Sequence, residues 1–398
     1  MVSKKIAIIV GVVVFFLSVG VSYVIFSNRL SLMLGGKKET ATTISPTIDP
    51  ESLEPKTQEC PLNGQMMTEK QKNKWVVRRP LGIMIENHVE ARPQSGISSA
   101  DIVYEAVAEG GITRFMAIFY CQDAPFVGPV RSARVHFMTM LREYGDYPLY
   151  AHVGGANCDA ETGSGCANGA KADALGIINR IGWGAYNDMN QFSVPFPYYW
   201  RDYERLPNVA TEHTVYSSTT KLWDYAKAKR KLTQVDEEGI SWDKTFTSWN
   251  FQDDAKPADR GTVSKVSFPF WDAFASDFTV TWKYDSKTNF YLRETGGKAH
   301  LDKNTGKQLQ AKNVVIVFAK ESPANDGYDG GHILYKLSGS GDALVFQNGT
   351  AIKATWTKKD EETRMKWYDE SDKEISIVRG KVFVEILPIG NKVTKVTY

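Results

Sequence analysis

The pattern of apolar and polar positions changes character several times along this chain. Ile6 to Phe26 is a run of 21 uncharged, almost wholly apolar residues. At about 1.5 Å of rise per residue, such a run crosses a bilayer core as a helix, so it predicts a transmembrane segment. Leu81 to Ile85 reads as a short buried strand that ends in the polar cluster Glu86, Asn87, His88. Ala91 to Gly96 (ARPQSG) follows as an irregular loop. Ile102 to Ala108 and Ile112 to Tyr120 are rich in β-branched and aromatic residues and flank Glu109-Gly110-Gly111, which predicts a hairpin with Gly-Gly at its turn. With a two-residue turn, Val107 faces Arg114 and Glu109 faces Ile112, so Glu105, Glu109 and Arg114 share one face of the ribbon.

Gly128 to Gly145 carries an apolar stripe at Val135, Met138, Met140, Leu141 and Tyr144, the spacing of a helix that begins near Ser132. Arg131 and Arg134 then stand at its mouth, where outward N–H groups and two guanidinium groups make a receptor for phosphate or carboxylate. Tyr150 to Gly155 reads as a strand ending in a glycine turn that frees the approach to His152. Helices are predicted at about Lys171 to Arg180 and Thr219 to Lys231, with the latter preceded by His213. Beyond Gly261 the texture is β: Val263 to Phe268, Phe278 to Tyr284, Phe290 to Glu294, Val314 to Ala319 and Val382 to Leu387 are short strand-like runs. Asn348-Gly349 between Ala343–Gln347 and Thr350–Trp356 signals another hairpin, with Trp282 and Trp356 adding aromatic surface.

Composition and charge narrow the picture. From Gly35 to Glu59 aromatics disappear and Thr, Pro, Ser and Glu dominate, as in a linker. Basic residues flank the apolar run almost evenly, Lys4 and Lys5 before it and Arg29, Lys37 and Lys38 after it. The usual dominance of a first helix favours an N-terminus inside. An export signal remains an open alternative, although the run is long for that role and no small-x-small cleavage site follows cleanly. The resulting organisation is a cytoplasmic end at 1–5, a transmembrane helix at 6–26 and a linker at 27–59. An α/β (mixed α+β) N-terminal domain at 60–255 is then followed by a smaller, mostly-β domain at 256–398. A net charge of +2 without a large basic run argues against nucleic acid as a partner.

Four cysteines all follow the apolar run, and none has metal-ligand or CxxC spacing. Cys158 and Cys166 bracket a soft polar loop, and Cys60 and Cys121 account for the rest. The even count predicts two disulfides and an extracytoplasmic body.

The string from Arg78 to Phe119 (RRPLGIMIENHVEARPQSGISSADIVYEAVAEGGITRFMAIF) resembles the YerB-like lipoprotein family of bacteria. So do VGPVRSAR, HVGG, ALVFQNGTAIKATW and VFVEILPIG. That resemblance implies a two-part domain of unknown function. The chain departs from the family's common form at two places. It lacks a lipobox cysteine after the apolar run, and Glu212-His213-Thr214 stands where Pro-His-Asn is usual.

The candidate ligand-binding set is therefore Arg114, Arg131, Arg134 and His152 around one cleft, with Glu105, Glu109 and Asn87 at its edge; no metal or cofactor is expected. Each residue also has a plainer role: Arg114 in a cross-strand ion pair, Arg131 and Arg134 capping carboxylates, His152 as a satisfied buried imidazole, and His213 bonding a helix start. The expected function is a cell-membrane, extracytoplasmic envelope protein that binds an anionic glycan, a lipid head group or a protein partner. The alternative is a transferase or hydrolase acting on phosphate-linked envelope polymers. An Arg, strand, loop, Arg arrangement loosely similar to that of the LytR-CpsA-Psr phosphotransferases prompts it, although the Arg-Asp pairing of that family is absent.

Overall fold

The computed structural model describes residues 54–391 and 395–398. Residues 55–398 form one compact unit built around an eleven-stranded sheet. Its strands, in chain order, are β1 (Leu81–Glu86), β2 (Ile102–Glu109), β3 (Ile112–Phe119), β4 (Leu149–His152) and β5 (Asp188–Asn190) from the first half of the chain. A small sheet contributes β6 (Lys265–Phe268), β7 (Val280–Asp285), β8 (Phe290–Thr295), β9 (Lys298–Ala299) and β10 (Gln310–Ala311). The large sheet resumes with β11 (Asn313–Pro323), β12 (Ile333–Lys336), β13 (Gly339–Gln347), β14 (Thr350–Lys358), β15 (Lys366–Tyr368) and β16 (Val382–Pro388). The spatial order is β15-β14-β13-β11-β16-β2-β3-β1-β4-β5, with β12 on β11.

The decisive strand is β16. It runs parallel to β11 on one side and parallel to β2 on the other, so the two halves of the chain share one sheet across the boundary expected near residue 255. Its sequence, VFVEILP, is buried at every position but the last, which is why it reads as a continuous apolar run with a single acid. The register places Glu385 beside Glu105. The small sheet packs over this centre, where the Trp282 ring meets Phe383 edge-on at 4.8 Å between centroids. Trp282 and Trp356 are both buried, so neither forms the expected aromatic surface.

The expected fold class needs correction. The chain is mostly β with few helices, and the expected transmembrane helix is not supported. Ile6 to Phe26 lies outside the described residues, and among the described residues no helix is long and apolar enough to cross a membrane.

Local expectations fare better. Gly110 and Gly111 both take positive φ, at 55° and 82°, and close the β2–β3 turn, a geometry glycine adopts without a Cβ clash. Asn348 and Gly349 do the same between β13 and β14, at 52° and 69°. Helix α1 spans Val135–Leu141, shorter than predicted. Helix α2 spans Thr219–Arg230, capped by the Ser218 hydroxyl and closed by Lys231 in the left-handed region.

Both expected disulfides are present, Cys60–Cys121 and Cys158–Cys166. They close chain separations of 61 and 8 residues, and loop-closure entropy makes the longer link worth about 4 kcal/mol against about 2.5 kcal/mol for the shorter. Denaturant unfolding should therefore show the larger loss for the Cys60→Ser, Cys121→Ser double variant. Equal losses would contradict the loop-length account.

Candidate functional site

The hairpin that was expected to gather the site instead divides it. Arg114 pairs across the ribbon with Ala106, and Val107 with Thr113, because one extra residue, Ala108, enters β2 between Val107 and Glu109. A one-residue slip in a strand sends every later side chain to the opposite face. Glu105 therefore shares a face with Phe115 and Thr113, not with Arg114. Asn87, just past the end of β1, joins Glu105, while Glu86 pairs with Arg114 on the other side.

On the Arg114 face, Glu109 binds both Arg114 and Arg134, the latter at 2.8 Å from Nε and 2.6 Å from Nη2. The Arg134 Nη1 donates back to the Ala133 carbonyl at 2.8 Å. Burial raises the Glu109 pKa, but the two arginines outweigh it and hold the carboxyl below its usual range. Burial, reinforced by Arg114, brings Arg134 down to about 10. Arg134 has extended backbone at the N-cap of α1, which turns its side chain back toward the hairpin turn. Arg131 pairs with Glu86. Burial raises the Glu86 pKa, yet His213, Arg114 and Arg131 hold it well below the carboxylate range. His213 lies with Nδ1 3.6 Å from Glu86 and Nε2 3.6 Å from Glu90. Its ring runs nearly parallel to that of His88.

The opposite face holds a ring of buried polar groups. Arg293, from β8, binds Glu105 and His300. The chain of bonds then runs from the His300 Nε2 to the Gln94 carbonyl at 2.7 Å, from the Gln94 amide to Asn87 Oδ1 at 2.9 Å, and from the Asn87 amide to Glu105 at 3.0 Å. Thr113 also donates to Glu105, at 2.6 Å. Arginine can only donate, so His300 accepts at Nδ1 and carries its proton on Nε2. Burial, Arg293 and Arg92 push the His300 pKa far down, consistent with that neutral ring. Glu385 accepts from the Trp282 indole at 3.0 Å. Burial and then Glu105 drive its pKa far up, so it retains its proton.

His152 stands apart from both groups. Its Nδ1 donates to the Gly154 carbonyl at 2.7 Å and its Nε2 lies 2.6 Å from Asp188; the ring is fully buried. Of the expected set, then, Arg114, Arg134 and Glu109 meet; Arg131 joins Glu86; Asn87 and Glu105 face the small sheet; and His152 has its own partner. Gln94, Arg293, His300 and Glu385 escaped sequence reasoning, and Glu86 was noted in the polar cluster but not placed in the site. The one local signal was the density of polar residues from Glu86 to Ser95 directly after a buried strand, since polar groups beside a core are present to bond one another.

Three comparisons bear on this arrangement. The family described as "Protein of unknown function (DUF3048)" matches with its N-terminal domain over residues 64–233 and its C-terminal domain over residues 271–384. YerB of Bacillus subtilis (strain 168), a candidate lipoprotein, is 32% identical over 323 residues, or 80% of this chain and 84% of that protein. A crystal structure of YerB from Bacillus subtilis superposes with a TM-score of 0.66 at 28% identity and covers 85% of this chain and 99% of the other.

Glu109→Ala would leave Arg114 and Arg134 facing each other inside the fold. It should cost about 3 kcal/mol or more in urea unfolding; a loss under about 1 kcal/mol would mark the cluster as a solvated rim. His136, on α1, supplies a pH test. Burial, then Arg134 and Arg114, push its pKa down to about 3. Between about pH 6.5 and 3 the unfolded chain binds a proton that the folded protein refuses. Its contribution to stability therefore falls with pH, by at most about 1.4 kcal/mol per unit. His136→Phe should flatten the change in urea midpoint between neutral and acid pH. An unchanged slope would show that His136 titrates normally in the fold.

Proposed function

The chain belongs to the YerB-like family that the DUF3048 N- and C-terminal domains define, and we propose that it is a membrane-associated protein of the bacterial envelope that holds an anionic group at Arg131. The candidate-lipoprotein relative and the two disulfides support a folded body outside the cytoplasm. The anion is a phosphate or carboxylate of an envelope glycan, a lipid head group or a protein partner.

One observation carries the choice of residue. The Arg131 side chain is 26% exposed, against 2% for Arg114 and 7% for Arg134. Arg114 and Arg134 are spent on Glu109. Arg131 is held through Nε by the buried Glu86, and no hydrogen bond among the described residues engages its two terminal nitrogens. A guanidinium anchored on one edge and free on the other suits bidentate capture of an oxyanion. The alternative, a transferase or hydrolase, requires a free base or nucleophile beside this arginine. His152 has both nitrogens committed, and no observation favours that reading over binding.

Three probes separate the possible sources: poly(glycerol phosphate), phosphatidylglycerol vesicles and polyglutamate, each titrated into the full chain at low salt. At least one should bind. Arg131→Gln, which can still bond Glu86, should weaken that binding on the order of ten-fold while shifting stability by less than about 1 kcal/mol. Binding unchanged by the substitution, or absent with all three probes, would refute the assignment. Protease added to intact spheroplasts should degrade the folded body; full protection would refute its placement outside the cytoplasm.

A further inference from the structure

Two groups of side chains among the described residues bring three metal-ligating atoms within 4.8 Å of one another. Cys60, Asp101 and Cys121 form the first, but both sulfurs are consumed by the disulfide. His88, Glu90 and His213 form the second. We propose that these three residues bind a divalent cation of the zinc class, with a coordination position left open to solvent.

The backbone presets the ligands. His88 and Glu90 sit two residues apart across a tight turn at Val89–Ala91, fixed by the bond from the Ala91 N–H to the His88 carbonyl at 3.0 Å. His213 ends a second such turn, Thr211–His213, fixed by its own N–H bonding to the Ala210 carbonyl at 2.9 Å. Backbone bonds thus fix both turns, and the ligating side chains add only a 3.3 Å cap, from the Glu90 amide to His88 Nδ1.

The separation between two of the ligand atoms is close to that of coordination, and the third lies within 4.8 Å of both. His213 Nε2 and a Glu90 carboxylate oxygen stand 3.6 Å apart, longer than the ~2.7–2.9 Å of a charge-assisted hydrogen bond. Ligand atoms about 2.0–2.1 Å from a tetrahedral zinc lie roughly 3.3 Å from one another. The His88 and His213 rings are stacked, 7° from parallel with centroids 5.1 Å apart, and one nitrogen of each lies within 4.8 Å of the other and of a Glu90 oxygen. On His88, Nδ1 receives only a long 3.3 Å bond from the Glu90 amide, a weak cap that a metal can replace.

The environment of His213 adds an independent reason. The residue is 5% exposed, yet its Nδ1 has no hydrogen-bond partner and lies 3.6 Å from the Glu86 carboxylate. A carboxylate behind the non-ligating nitrogen is the usual outer partner of a metal-bound histidine, because it fixes the tautomer and strengthens the donor. Two imidazoles with one carboxylate suit zinc and its borderline neighbours rather than magnesium or calcium, which take oxygen donors. Glu90 is 55% exposed, so the cation has a route in, and three protein ligands leave the fourth position for water.

Zinc titration of the untagged, chelator-stripped full chain, with no anionic ligand present, separates this site from the arginine reading. One equivalent should bind, and cobalt in its place should give the visible absorption of a four-coordinate ion. His88→Ala and Glu90→Ala should each weaken zinc affinity on the order of ten-fold or more. Both residues lie at the surface or partly so, and their metal-free variants should unfold at the wild-type temperature. His332→Ala, which removes a ring already bonded to Asp326 at 2.7 Å, should leave binding intact. No uptake at micromolar zinc, or full affinity in both the His88 and Glu90 variants, would overturn the proposal and leave His213 as an ion-pair partner of Glu86 and Glu90.

Discussion

A guanidinium sealed between two sheets needs acceptors on every side, and the placement of Arg293 follows from that need. It is fully buried, and it stands between Glu105, the ring of His300 and, at 3.9 Å, the carboxyl of Glu385. The parallel register of β16 on β2 sets the two acids side by side, where both cannot be ionised in a dry seam. One proton on Glu385 and one positive charge on Arg293 resolve the conflict. The faces of Phe115 and Trp282 enclose the cation at 5.3 and 5.7 Å, adding the attraction of two ring quadrupoles. The loop after β1 then closes the circle through Asn87 and Gln94. Removing any member leaves another without its partner, and that dependence ties the small sheet and the polar loop to the large sheet.

What the sequence made legible was local. Gly110-Gly111 and Asn348-Gly349 need positive φ in both turn positions and find it, Ser218 starts α2 as a cap, and the cysteine count led to the right pairs. The long string from Arg78 to Phe119 carries the family resemblance on its own. What was hidden was long-range. Nothing near Val382 says that its strand will lie between β11 and β2, since a buried parallel strand reads as a plain apolar run. The extra residue Ala108 leaves no trace in composition, yet it alone moved Glu105 away from Arg114. Arg293 and His300 lie too far along the chain from Glu105 for spacing to connect them.

The candidate site shows the same division. Several plain roles turned out to describe the placement best: Arg134 is a partner of Glu109, and His152 is a satisfied imidazole. These arginines are placed by the carboxylates they neutralise, so their positions serve the fold first. The polar groups that remain run from Arg131 past the buried Glu86 and His213 to His88 and Glu90, and their contacts converge on the end of β1 and the segment directly after it. A buried strand followed by a rigid, polar, tightly turned loop holds its side chains in fixed positions, as a recognition surface requires.

The insertion of β16 between β11 and β2 has a consequence for biogenesis. The strands on either side, separated in the sequence by some 200 residues, have open edges until Val382–Pro388 arrives to bridge them. A chain crossing a membrane from its N-terminus would deliver that bridging strand after both of its neighbours. Throughout transit, the β2–β3 hairpin carries an unpaired, hydrophobic edge, the kind of surface on which strands of other chains add. Arrival of the last strand joins the two halves, covers both edges and brings Glu385 to its place beside Glu105 in a single event. A chain cut short before Val382 would be left with two open seams rather than with one smaller, intact fold.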